Sequence, residues 1–159
     1  MVNKSKLIST LFITSITLPF MLCAKENYES SVVALVDKGI CSININNVEA
    51  AKYPCLNSDA PTLISFSDLY EVDTKVFIFI DNPRGNACDG GPIHVFSQNN
   101  DGKYLLHEEI DFCGGHHPSI TSSATKLSIN IPSMDIDGTV LKIPAEQWVF
   151  ENNVLTKAR

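Results

Sequence analysis

The feature that most constrains this chain is the shortness of its apolar runs, each of which ends at residues that favour turns. Segments such as KVFIFIDNP and TKLSINIPS place a few β-branched or aromatic residues between Asn, Asp and Pro. Short runs bounded in this way are typical of strands joined by tight turns. The sequence therefore predicts an all-β fold, made mostly of antiparallel hairpins or meanders and arranged as a sandwich or in a propeller-like way.

The individual strands follow from these runs. The run VFIFI, Val76–Ile80, is apolar at every position and predicts a strand buried on both faces. The first run is ambiguous, because SSVVALVDKG also fits a short helix with a serine cap near the N-terminus. The predicted strands are Val32–Val36, Cys41–Ile45, Thr62–Phe66, Lys75–Ile80, Ile93–Gln98, Tyr104–Phe112, Leu127–Ile131, Val140–Ile143, Trp148–Glu151 and Val154–Lys157.

One hairpin register can be derived from the alternation of polar and apolar residues. Its turn lies at Asn99–Gly102, and an axis between Asn100 and Asp101 places His94 opposite His107. A slip of one residue would mix the two faces. One face then holds Ile93, Val95, Tyr104, Leu106, Ile110 and Phe112, and the other holds His94, Gln98, His107, Glu109 and Asp111.

A second hairpin lies near the C-terminus, in the stretch QWVFENNVLTK. Its turn falls at Asn152-Asn153, so Phe150 faces Leu155 and Trp148 faces Lys157. This pattern indicates a structural role.

The cysteines predict two disulfides. Cys23 lies in the N-terminal segment that, as argued in the next paragraph, we expect to be removed on export, and four cysteines follow it. An even number of cysteines in an exported chain indicates a disulfide framework. The register of the first hairpin, extended outward, places Cys88 opposite Cys113 and predicts a bond between them. A bond between Cys41 and Cys55 follows by elimination and closes a smaller loop across INNVEAAKYP.

The N-terminal segment has the layout of a secretory signal peptide. Lys4 and Lys6 precede the mainly apolar run Leu7–Leu22, and Ala24 provides a cleavage point. The run is shorter than the roughly twenty residues that a spanning helix needs. Cys23 raises the alternative of a lipid anchor, although leucine precedes it where a lipobox has a small residue. We expect a signal peptide over 1–24 and one disulfide-stabilised β domain over 25–159, exported to the periplasm.

The charge balance limits the classes of partner. The chain has 12 basic and 18 acidic residues, and two of the basic ones, Lys4 and Lys6, belong to the signal peptide, which leaves residues 25–159 at −8. Such a surface repels nucleic acids and anionic membranes. It attracts a basic protein, so we expect a protein partner, no nucleic acid, and no membrane contact after signal cleavage.

Metal binding has two candidate locations. In the predicted hairpin His94 and His107 are cross-strand neighbours, with acidic residues along the same face. This pair could bind a metal ion from solution. The stretch MDIDGT contains Asp135, Asp137 and Gly138 in the spacing of a partial calcium loop. The first pair also fits a solvent-facing polar pair, and the second fits an ordinary turn. We expect neither a metal nor a cofactor.

Catalytic motifs are not apparent in the sequence. There is no Gly-x-Ser-x-Gly elbow, and the cysteines are expected to be oxidised. Glu108 and Glu109 are adjacent on one strand, so they point to opposite faces and cannot act as a glycosidase pair. The sequence therefore favours a protein that is not an enzyme.

Two glycine-rich segments are the best candidates for partner binding. DNPRGNACDGGP leads into the first hairpin and CGGHHPSITSS leads out of it, so the Cys88–Cys113 bond would hold them side by side. Such a link reduces the freedom of both segments before binding. The alternative is that the glycines only allow sharp turns and the histidines are solvated. The candidate contact residues are Gly114, Gly115, His116, His117, Pro118, Ser119, Arg84 and Asp89.

Export, size, disulfides and the β pattern together give a chain that resembles the small periplasmic immunity proteins of Gram-negative bacteria and the bacterial lysozyme inhibitors. That resemblance implies tight binding to a wall-degrading toxin or hydrolase, with the loop Gly114–Ser123 entering its active-site cleft. Two alternatives remain open at this point: an envelope structural or maintenance protein, and a metal-binding periplasmic protein.

Overall fold

The computed structural model describes residues 32–85, 90–114, 116–135 and 142–158. Within these ranges every regular element is a strand, and there is no helix with the length and hydrophobicity that crossing a bilayer requires. The strands are β1 (Val32–Asp37), β2 (Ile40–Ile45), β3 (Val48–Pro54), β4 (Ser58–Leu69), β5 (Thr74–Pro83), β6 (Ile93–Gln98), β7 (Tyr104–Leu106), β8 (Ser119–Ser122), β9 (Lys126–Ile131), β10 (Met134–Asp135), β11 (Lys142–Ile143), β12 (Glu146–Glu151) and β13 (Val154–Lys157).

The described strands form three meander sheets. The N-terminal sheet has the order β1-β2-β3, the central sheet β4-β5-β6-β7 and the C-terminal sheet β13-β12-β9-β8. The short pair β10–β11 is inserted between β9 and β12. Neighbouring strands pair antiparallel in each sheet. The predicted all-β fold of antiparallel hairpins and meanders is therefore confirmed.

The central sheet lies between the other two, because both of its faces are apolar. On one face Phe77, Phe79 and Phe96 pack with Ile43 and Ile45 of the N-terminal sheet. Burying each of these large side chains stabilises the fold by about 1.5–3 kcal/mol. The predicted burial of β5 on both faces is confirmed. The cluster on the other face joins the central and C-terminal sheets and includes Val76, Ile78, Ile80, Ile93, Val95, Leu127, Ile129, Trp148 and Phe150.

The C-terminal hairpin has the predicted register. Trp148 pairs with Lys157 and Phe150 with Leu155. Asn152 and Asn153 have φ angles of 53° and 59°, the left-handed values that a two-residue type I′ turn requires. Asparagine tolerates this region better than most residues, so the turn chemistry and the alternation specify the same pairing.

The register predicted for the β6–β7 hairpin is wrong by one residue. Phe96 pairs with Leu106 and Gln98 with Tyr104, so His94 does not face His107. The turn has an odd number of residues, because Gly102 adopts a φ of 74° and its N–H donates to the Asn99 carbonyl at 2.9 Å. A type I turn followed by a left-handed glycine adds one residue compared with a symmetric turn.

The shifted register moves three residues, Tyr104, Leu106 and His107, to a different face from the one predicted. Tyr104 packs with the aromatic cluster toward the N-terminal sheet, and Leu106 shares the face of Phe96. Ile93 and Ile110 still meet, through an isolated bridge beyond the end of β7. One extra residue between β7 and this bridge returns Ile110 and Phe112 to the predicted face, which they share with Ile93 and Val95.

Strand prediction fails where the alternation is weak. Val48–Pro54 forms β3, although the sequence analysis assigns no strand there. Ser119–Ser122 forms β8, within the segment predicted to be a recognition loop. The predicted strand Tyr104–Phe112 ends early, at Leu106. Whether each segment forms a strand, and where that strand ends, depends on pairing with a neighbouring strand. A single sequence does not reveal that neighbour.

Several predictions extend beyond the described ranges. Val32–Asp37 is a strand, but the residues before it, including the signal peptide 1–24, lie outside the described part of the chain. Of the predicted strand Val140–Ile143, Lys142–Ile143 forms β11, and 140–141 lie outside as well.

One predicted disulfide is defined by the described residues. Cys41 and Cys55 are bonded, with their Cα atoms 5.6 Å apart, which confirms that prediction. The bond ties β2 to the residue after β3, and the Cys55 N–H donates to the Gly39 carbonyl at 2.9 Å. Closing a loop of this length stabilises the fold by about 3 kcal/mol.

The other predicted disulfide involves Cys88, which lies outside the described residues. Cys113 is disulfide-bonded and carries no free thiol. The hairpin register from which its pairing with Cys88 was derived is wrong by one residue. The Cys88–Cys113 bond therefore stays a prediction, without support from that register.

Candidate functional site

The segment Gly114–Ser119, called the tip below, carries the predicted partner-binding histidines. His116 and His117 are both exposed, whereas Gly114 is buried and Pro118 is partly buried. Gly115 lies outside the described residues. The tip thus offers two imidazoles to solvent directly after a buried position.

The tip leads directly into a strand. Ser119 is exposed and begins β8, where it pairs with Asn130 of β9. Since β8 is the last strand of the C-terminal sheet, one of its edges has no neighbouring strand in that sheet. The prediction of a continuous loop over Gly114–Ser123 is therefore wrong for its second half. Backbone pairing with β9 fixes that half in place.

The described parts of the two glycine-rich segments approach each other at Gly90 and Gly114. A Cβ atom on Gly90 would be 3.0 Å from the Phe112 ring and 3.3 Å from the Gly114 Cα. A Cβ atom on Gly91 would be 2.8 Å from the Asp81 carbonyl oxygen. A side chain at Gly91 would therefore require the backbone around Asp81 to shift, whereas one at Gly90 would make a tight contact to which the Phe112 ring must adjust. The contact anchors the start of the tip to the segment that precedes β6.

Arg84 is held by contacts at the end of β5. Its guanidinium donates to the Asp59 carboxylate at 2.8 and 2.5 Å, and its N–H donates to the Asn57 carbonyl at 2.6 Å. The hydrogen bond to Asp59 raises the pKa of Arg84. The described contacts of Arg84 therefore involve residues 57–59 and not the tip. Asp89 lies outside the described residues.

A groove that the sequence did not reveal adjoins the tip. The inner groove has a volume of about 390 Å³ and runs from Cys113 and Gly114 to the C-terminal sheet. It meets an outer groove of about 510 Å³, which His117 and Ser119 help to line. The inner groove is lined by the apolar residues Phe112, Ile131, Met134, Ile143, Pro144 and Trp148 and by the acidic residues Glu108, Glu109, Asp111 and Glu146. Glu108 and Glu109 follow the end of β7 and both line this groove, so the prediction that they point to opposite faces of one strand is wrong.

Three of the groove residues form a fixed unit. Glu146 accepts hydrogen bonds from the Lys157 ammonium at 2.5 Å and from the Trp148 indole N–H at 3.1 Å. The Lys157 Nζ also lies 5.9 Å from the centre of the Trp148 ring. The hydrogen bond from Lys157 lowers the pKa of Glu146. An ammonium group beside this tryptophan and a carboxylate is thus already part of the groove.

A buried polar network lies on the other side of the central sheet. Asp81 accepts a hydrogen bond from the Tyr53 hydroxyl at 2.6 Å and lies 3.1 Å from His94 Nε2. The Tyr53 and His94 rings are 4.3 Å apart. Burial, followed by the hydrogen bond to Asp81, raises the pKa of Tyr53. This network links the N-terminal sheet to the central sheet.

The predicted pairing of His94 with His107 is wrong. His94 is 3% exposed and faces Asp81, with Glu109 3.8 Å away at the surface. His107 lies on the opposite face, where its Nε2 is 2.8 Å from the Ser97 hydroxyl and its ring packs against Phe150. The register shift separates the two imidazoles, so they cannot share a metal ion.

The partial calcium motif falls partly outside the described residues. Asp135 forms an ion pair with Lys142 across the β10–β11 pair, at 3.1 Å, and Asp137 and Gly138 are beyond the described range. Within the residues that the structure describes, no group of three or more His, Cys, Asp or Glu side chains is arranged to hold a metal ion.

Comparison with protein-family models, with curated proteins and with solved structures finds no match to this chain. The geometry itself therefore defines the class of protein. It is a small, disulfide-linked, three-sheet β protein with an exposed histidine tip beside an acidic and apolar groove.

Proposed function

We propose that this protein is an exported, non-enzymatic inhibitor or immunity protein of the periplasm. Its tip enters the active-site cleft of a wall-degrading toxin or hydrolase and blocks it. In this proposal His116, His117 and Ser119 make the contacts with the target. The protein undergoes no chemical change and needs no cofactor.

The observation that carries the proposal is the exposure of His116 and His117 between two anchored ends. Gly114 is buried against Gly90 on one side, and Ser119 is paired with β9 on the other. A segment held in this way loses little conformational freedom when it binds, which favours affinity. Imidazoles and a hydroxyl can each donate or accept hydrogen bonds inside a polar cleft.

Charge and redox state support the same proposal. The net charge of −8 for residues 25–159 favours a basic partner and speeds the encounter with it. The Cys41–Cys55 disulfide is consistent with an oxidising compartment such as the periplasm. The buried Asp81–His94 pair is closed to a substrate, since His94 is only 3% exposed.

The proposal is tested by affinity capture from a periplasmic extract with the oxidised mature protein. The variant His116→Ala/His117→Ala/Ser119→Ala removes the tip contacts. The matched control, Thr121→Ala/Ser122→Ala/Ser123→Ala, changes three exposed hydroxyl residues just beyond the tip. We expect a stoichiometric partner on the wild type and on the control, and its loss from the tip variant.

The captured partner should then lose its cell-wall-lysing activity when the wild-type protein is added. Retention of the same partner by the tip variant would reject the tip as the binding element. If no stoichiometric protein is retained by the wild type, the inhibitor function itself fails, and an envelope structural role becomes the better explanation.

A further inference from the structure

The inner groove has a feature that the tip contacts do not use. Its acidic residues carry more negative charge than the basic groups among the described residues neutralise. The ammonium of Lys157 is bonded to Glu146. Glu108 and Asp111 are both exposed and form no ion pair with any residue that the structure describes. A groove in this state attracts a cation from outside.

The apolar residues of the same groove favour a cation that carries an aliphatic chain. Ile143 is 39% exposed and Met134 is partly buried, so both offer surface to an aliphatic chain. Trp148 is 8% exposed, and its ring face is therefore closed to a stacked sugar. Lysine and arginine side chains combine an apolar stem with a charged end, which matches a groove lined by both apolar side chains and carboxylates.

We propose that the inner groove binds a basic segment of the protein partner, one in which lysine or arginine alternates with aliphatic residues. The proposal rests on the proposed function, because the tip and the groove meet at Gly114 and both would face one target. The cationic ends contact Glu108 and Asp111, and the stems and aliphatic residues lie against Ile143 and Met134. The tip blocks the target, and the groove provides a second contact that selects basic targets.

The chain offers an intrinsic probe for this site. Trp148 is its single tryptophan and lines the inner groove. The experiment titrates the oxidised protein with a synthetic tryptophan-free peptide of alternating lysine and leucine, and follows Trp148 emission. The same peptide with glutamate in place of lysine is the ligand control. We expect a saturable change in emission with the lysine peptide and none with the glutamate peptide.

A pair of protein variants separates the groove from general charge. Glu108→Gln/Asp111→Asn should weaken binding of the lysine peptide by about tenfold, through loss of two carboxylate contacts. Asp37→Asn/Glu49→Gln removes the same charge from exposed positions on the N-terminal sheet, and should change the affinity by less than about twofold. All four positions are exposed, so we expect both variants to fold, and their melting temperatures check this.

Three results would overturn the inference. The first is no change of Trp148 emission with the lysine peptide, and the second is equal weakening in both variants, which would indicate general attraction to an acidic protein. The third is a change of emission with protein concentration alone, which would indicate a second copy of this chain in the groove. None of these results would affect capture of a partner by the tip, so failure of the groove is distinct from failure of the inhibitor function.

Discussion

The two faces of the central sheet are both buried, but different chemistry buries them. Toward the N-terminal sheet, Phe77, Phe79 and Phe96 form an aromatic cluster, and the Asp81–His94 pair lies on the same face. Toward the C-terminal sheet the core is mostly aliphatic. This face also carries polar groups, among them the buried Ser97 and the partly buried His107, which are 2.8 Å apart.

This difference teaches that the two interfaces specify their packing in different ways. An aliphatic interface tolerates changes of shape as long as its volume is kept. A buried polar network requires every partner in place, since an unsatisfied group costs the full desolvation penalty. We infer that the face toward the N-terminal sheet defines one unique arrangement, and that the other face can adapt around the groove and the tip.

The largest expected effect is on the aromatic face. Phe79→Ala should lower the free energy of unfolding by about 3–5 kcal/mol, because it empties a fully buried site. A smaller change on the aliphatic face, Ile78→Val, removes one methyl group and should cost about 0.5–1.5 kcal/mol. Urea unfolding measures both. A loss for Phe79→Ala no larger than that for Ile78→Val would contradict the packing described for the aromatic face.

The buried polar network should give the next largest effect. Asp81→Ala leaves the Tyr53 hydroxyl and His94 Nε2 without their acceptor in the interior, and should cost about 2–4 kcal/mol. Tyr53→Phe removes one hydrogen bond and should cost about 1 kcal/mol. Equal losses in the two variants, measured by urea unfolding, would show that Asp81 does not organise the network.

The fold could be predicted from the sequence where the residue pattern allowed only one strand assignment or one turn length. The uniform apolarity of VFIFI identified β5 as a strand buried on both faces, and the Asn152-Asn153 turn fixed the C-terminal register. The β6–β7 register was missed because Asn99–Gly102 fits turns of two lengths. The choice depends on Gly102 taking a left-handed conformation.

The candidate site also has one part that the sequence indicates and one part that it does not. The tip could be proposed from the sequence because its residues are consecutive and two histidines directly follow two glycines; its role in binding stays a prediction. The inner groove was not, because Glu108, Ile143, Trp148 and Lys157 come from separate segments that meet only in the fold. The polar network was missed for the same reason, since Tyr53 belongs to a strand that the alternation does not reveal.

The turn before β7, which sets the register of that strand, can be tested at Gly102. Gly102 has a φ of 74°, and a Cβ atom there would meet nothing closer than Gln98 Nε2, at 4.0 Å. Gly102→Ala should therefore cost about 1–2 kcal/mol through backbone strain alone. Gly102→Asn should cost less, because asparagine tolerates the left-handed region. Equal losses in thermal unfolding would mean that the turn does not depend on this conformation.

The smallest expected effect concerns His107 on the aliphatic face. Burial lowers the pKa of His107 from its ordinary value of 6.5, so the unfolded chain binds a proton at this residue more readily than the folded protein does. The contribution of His107 to stability is therefore complete above about pH 6.5 and is lost as the pH falls through the lower folded-state pKa. Because this side chain is only partly buried, the loss should stay below about 1 kcal/mol.

The variant His107→Gln isolates this contribution, because it removes the titrating group while an amide can still bond to Ser97. Urea unfolding of both proteins across the acidic range should show a shallower decline for the variant. All other residues are the same in both proteins, so their effects cancel in the difference. A steeper decline in the variant would mean that the protonated imidazole is stabilised in the fold. The aliphatic face would then resemble the polar face more closely than its packing indicates.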